Sequence, residues 1–225
     1  MNLIDKLNLV ILVLTLGAQI LYRRSFWSKY EVLGFRFKVL EKTIGYLKKY
    51  FSDSNNFSKF LRYIWIISVV AIFGILTYWA VLQYRIWESS DLTKLLLPPH
   101  QSFGYFYSYV GKRFFAPWLI SLFFAIVVSR TAKRLNKKYS ERFFWNEEIE
   151  LISFGIFLVG YPGFFIYLTL VLILGVLFSI FYSLFSKGRL PLYYFWIPIA
   201  ILAIIIKVWL FPILRLDIYL GNFAI

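Results

Sequence analysis

The stretch LISFGIFLVGYPGFFIYLTLVLILGVLFSIFYSLF, residues 151–185, runs for 35 positions without a charge and is broken only by Tyr161-Pro162-Gly163. An uncharged apolar run of about 18 residues or more reads as a membrane-crossing helix, because in hydrocarbon the backbone has to satisfy its hydrogen bonds within the segment. The run is too long for one straight span, and the part before the break is too short to cross alone. Residues 149–160 make about 18 Å of helix against a hydrocarbon core of about 30 Å. The expected arrangement is a half-buried, re-entrant helix over 149–160, then a full span over 164–185.

Working outward, further apolar runs place spans over 7–22, 63–84, 114–129 and 192–211. The fold class expected is an all-α, polytopic transmembrane bundle of about five spans in one membrane domain, with the short re-entrant helix and one cytoplasmic amphipathic helix added. Composition agrees: 60% hydrophobic, 22% aromatic and 16% charged residues lie well away from the globular average, towards a membrane protein. The chain contains no cysteine, which removes disulfides, thiol nucleophiles and cysteine-held metals from consideration. The N-terminus lacks the positive leader and small-residue cleavage site of a signal peptide, so residues 7–22 read as a retained span.

The net charge of +14 would suggest nucleic acid in a soluble protein. Here the cations flank spans, and positive-inside topology explains them. Residues 23–62 hold ten Lys/Arg against Glu31, Glu41 and Asp53, and Arg130, Lys133, Arg134, Lys137, Lys138 and Arg142 follow the third span. Both loops are expected inside, the segment 85–113 outside with Phe103 to Tyr109 lying in the interface, and the whole chain N-out and C-in. A bacterial cytoplasmic membrane is the expected location.

Two segments carry candidate function. In the first basic loop, Leu33, Phe37, Leu40, Ile44, Leu47 and Phe51 recur at helical spacing, and Arg36, Lys38, Lys42, Lys48 and Lys49 mostly occupy the other faces. That pattern predicts a helix over about 31–51 lying on anionic headgroups, or docking a membrane-protein partner. The second is the acidic trio Glu147, Glu148 and Glu150 at the membrane edge. Crowded carboxylates there suit acid and base work, and equally suit a helix N-terminus or pairing with the neighbouring cations.

The stretch from Trp145 to Gly163, the apolar helix after it, then Lys187-Gly188-Arg189-Leu190-Pro191 and a last apolar helix resemble the C-terminal third of type IV prepilin peptidases, which are membrane aspartyl proteases. Glu148 stands where that family's second catalytic aspartate belongs, Glu150 where its lysine belongs, and Leu151 matches. The family's glycines and aspartate are missing. Such enzymes need two carboxylates sharing a proton, and none of Asp5, Asp53, Asp91 or Asp217 follows a span in the family's context. The resemblance therefore implies an inactive or repurposed relative.

His100, the single histidine, has no second ligand to form a metal site, and no cofactor motif occurs. Lys207, within the last span, is read as snorkelling to the cytoplasmic edge. Two readings result: an accessory, assembly or structural subunit of a membrane complex, and a degenerate peptidase-like protein. Paired ionisable groups or broken helices within spans, which mark transport paths, are not evident at this level, so a transporter ranks third.

Overall fold

A computed structural model describes residues 2–22, 54–139, 144–185 and 192–214. All elements among the described residues are helical. They are α1 (Leu3–Tyr22), α2 (Ser54–Ser89), α3 (Phe103–Val110), α4 (Ala116–Lys138), α5 (Asn146–Val159), α6 (Gly163–Phe185) and α7 (Trp196–Leu214). Five helices are long and apolar enough to cross a membrane, with α3 and α4 joined into one of them. The chain is a transmembrane helical bundle. The helix expected over 31–51, with Arg36, Lys38, Lys42, Lys48 and Lys49, lies outside the described residues.

Residues 103–110 do not lie flat as a separate interfacial piece. They continue into α4 through a single π turn, Gly111–Phe115. Pro117 follows one residue later; lacking an N–H and crowding the carbonyl four residues back, it favours such a local widening over an ideal α turn. Trp87 packs on Phe106 and Tyr109, which fastens this end of α3 to the end of α2.

The short helix α5 is the centre of the molecule. From Leu151 onward it is apolar on every side but for Ser153, and positions 151–160 are all buried, as expected for a helical segment that is hydrophobic all round. It packs against α1, α2, α4, α6 and α7. Phe157 lies against Trp65 of α2 and Trp118 of α4, each with ring centroids 5.9 Å apart. At 14 residues, α5 is about 21 Å long.

The turn after α5 corrects the expected path. Gly160 adopts φ 73°, a backbone conformation that glycine reaches without strain, and a Cβ there would meet the Trp118 ring at 3.2 Å. The chain then reverses instead of continuing. Gly163 abuts Val159 and Lys207, and the Tyr167 hydroxyl comes to the backbone of Gly155, so α6 runs back along α5. Phe178, further along α6, stacks on Phe195 at 4.9 Å, just before α7. Phe144 and Trp196 lie 6.3 Å apart, which puts the start of α7 beside the start of α5.

α7 therefore rises from the end where α5 begins and finishes at the end where α1 begins. The Gln19 amide donates to the Tyr193 carbonyl near one end, and Lys207 pairs with Asp5 near the other. Among the described residues the start of α1 and the end of α7 share one end of the bundle, where the N-out, C-in reading expects opposite ends. The cause is the Gly160–Pro162 reversal, which turns one long apolar run into a hairpin. The short helix expected over 149–160 is α5, which is buried in the bundle and paired with α6.

Candidate functional site

Two polar clusters mark the two ends of α5. At its N-terminus sits the acidic trio. Glu148, buried, turns its carboxylate back to accept the Trp145 backbone N–H at 3.0 Å. It satisfies a donor that the first helical turn leaves open and places negative charge at the positive end of the helix dipole. Glu150 accepts a hydrogen bond from the Ser58 hydroxyl of α2 at 3.4 Å and lies in the field of Lys133 and Arg62. Outside the five membrane-crossing helices, Glu150 has its carboxyl raised above the ordinary value of 4.5, chiefly by burial. Lys133, Arg62 and Ser58 oppose the rise and Glu147 adds to it.

An acid pair contributed by two helices does not form here from the described residues. Asp5, Glu88 and Asp91 all belong to the other end of the bundle, and Glu148 is about 16 Å along α5 from the carbonyl beside Asp5. The trio caps one helix and faces the cations of α2 and α4. Among the described residues no group of three His, Cys, Asp or Glu side chains could hold a metal.

The second cluster is not anticipated by hydropathy and charge counting. α5 stops inside the bundle, and its last carbonyls have no helical partner. The Asn8 amide of α1 donates to the Leu158 carbonyl at 2.7 Å, and the Lys207 ammonium of α7 donates to the Val159 carbonyl at 3.2 Å. Lys207 also forms an ion pair with Asp5 at 3.1 Å, and the two side chains are 16% and 6% exposed. A cation at a helix C-terminus is favoured by the dipole, and a charge in an apolar span needs a named partner. Both conditions are met by these three helices. The snorkelling expected of Lys207 is replaced by this interior pairing, at the end of the bundle away from the basic loops.

The cluster has a legible signal. Asp5, Asn8, Thr15 and Gln19, all buried, fall at spacings of three, seven and four and so form a polar stripe on the inner face of α1. That face is matched to the carbonyls of α5 and to Tyr193, whereas Val10, Val13 and Leu14 point outward. Comparison with protein-family models, with curated proteins and with solved structures gave no match to this chain.

Proposed function

We propose that this protein is a non-catalytic integral membrane subunit, an accessory, assembly or structural component of a membrane complex. The observation that supports this reading is the use made of the acids at the start of α5. Glu148 caps the helix, and Glu150 faces Ser58, Lys133 and Arg62, so these carboxylates serve the packing of α5 against α2 and α4. A degenerate peptidase would need a second acid brought to Glu148 from another helix. The described aspartates lie at the far end.

The end carrying Arg130, Lys133, Arg134, Lys137 and Lys138 faces the cytoplasm in this proposal, against anionic headgroups of a bacterial inner membrane, and the start of α1 and the end of α7 face outside. Outward apolar residues of α6, such as Leu172, Val176 and Phe181, meet lipid or the neighbouring subunit. The test is affinity capture from gently solubilised native membranes, with the mass of the purified particle measured directly. A partner in fixed proportion, retained by Glu148→Gln, supports the proposal. A lone chain, or pilin-like precursors whose cleavage stops in Glu148→Gln, refutes it.

A further inference from the structure

The end of α5 is richer in oxygen acceptors than its own donors fill. Around it stand the Asp5 carboxylate, the carbonyls of Leu158 and Val159, and the Asn8 side-chain oxygen. That last atom is fully buried and has no hydrogen-bond partner, although the same amide's nitrogen is fixed on Leu158. A buried acceptor left open in an apolar interior is costly, and such groups are ordinarily satisfied by a donor or a bound cation. Among the described residues, the cation hydrogen-bonded in this cluster is the Lys207 ammonium, 3.1 Å from Asp5 and 3.2 Å from the Val159 carbonyl, the long side of charge-assisted contacts. Lys207 is more solvent-reachable than its partner Asp5, and it sits within two turns of the end of α7.

We infer that Asp5, Asn8 and the C-terminal carbonyls of α5 form a monovalent-cation site, in which the Lys207 ammonium is a tethered occupant that competes with a free ion. Oxygen donors at the negative end of an interrupted helix, with one carboxylate, suit a hard monovalent cation. Withdrawal of the flexible lysine stem towards the near surface would vacate the position. The inference is independent of whether the protein serves as a subunit.

The experiment uses the full chain in mild detergent, unfolded thermally at constant ionic strength. N-methyl-D-glucamine chloride is replaced stepwise by sodium, potassium or ammonium chloride. Lys207→Met is expected to show a saturating rise in Tm with one of these ions, roughly 3–6 °C at ten times the dissociation constant. The wild type should rise less, because its own ammonium competes, and Asp5→Asn/Lys207→Met should not respond. If Lys207→Met responds no more than the double variant, the inference is overturned. If Lys207→Met accumulates folded only when one of the three ions is present during solubilisation, the inference stands; poor folding that none of them relieves overturns it.

Discussion

Replacing Lys207 by methionine is expected to destabilise the bundle more than any exposed charge substitution, and the structure sets the scale. Methionine keeps much of the stem's volume and removes the ammonium, leaving Asp5 as a carboxylate with little solvent access and the Val159 carbonyl without its side-chain donor. Breaking a buried pair by deleting one member costs about 3–5 kcal/mol, within which an unsatisfied carbonyl accounts for about 1–3 kcal/mol. Asp5→Asn is milder, about 1–3 kcal/mol, because an amide oxygen still accepts from Lys207 and Lys207 keeps Val159. In Asp5→Asn/Lys207→Met no charge remains, so the double variant should cost less than the sum of the singles by about 1–3 kcal/mol. The assay is reversible unfolding of the full chain by titrating dodecyl sulfate, as its N-methyl-D-glucamine salt, into mild-detergent micelles, followed by circular dichroism, so that N-methyl-D-glucamine is the only small cation. Singles that add within about 0.5 kcal/mol would show that the pair is not coupled, and the reasoning would fail.

Other consequences rest on the same packing. Gly155→Ala places a Cβ 2.7 Å from the hydroxyl of fully buried Tyr167 and should cost about 1–3 kcal/mol; a cost near zero in the same dodecyl sulfate titration would mean that α6 does not run back along α5. Tyr167→Phe removes a buried hydroxyl that has no partner and should be neutral or stabilising, whereas a loss above about 1 kcal/mol would reveal a hydrogen bond there. Glu148→Ala should lose about 1 kcal/mol of helix capping, with Glu148→Gln close to wild type because an acceptor oxygen remains. Glu150→Gln should be more stable than wild type at neutral pH. Because the folded protein holds the Glu150 proton more tightly than the unfolded chain does, wild-type stability falls as pH rises through and above 4.5. The variant's advantage should therefore vanish on acidification below that range, and an advantage that is flat with pH would contradict the burial cause.

Much of the architecture can be read from particular residues. The spans around 7–22, 63–84, 164–185 and 192–211 follow from apolar length alone, and each has its helix in the structure. The break at Tyr161-Pro162-Gly163 marks the right place, but its sense does not follow from sequence. A glycine–proline interruption tolerates either a continued or a reversed chain, and the choice is made by Trp118 over Gly160 and by Tyr167 against Gly155. Those are contacts that apolar length does not encode.

The interior site illustrates a second limit. Lys207 reads as a snorkelling lysine because hydropathy counts charges along one helix, while its partner Asp5 is 202 positions away. Asp5 itself lies ahead of the run 7–22 read as the first span. The stripe through Asn8, Thr15 and Gln19 is the available clue, since a helix that turns polar residues to one face of an otherwise apolar span must have a polar counterpart to meet. The acids at 147–150 stand out for their crowding, and their position at a helix N-terminus accounts for much of it.

The reversal after α5 is the claim on which the rest depends, and the chain's lack of cysteine makes it directly accessible. Single cysteines are placed at Asn2, at Lys138 and at Ile213, and intact cells and inverted vesicles are labelled with a membrane-impermeant maleimide. Asn2→Cys and Ile213→Cys are expected to be labelled from one side and Lys138→Cys from the other; labelling of Asn2→Cys and Ile213→Cys from opposite sides would rule the reversal out.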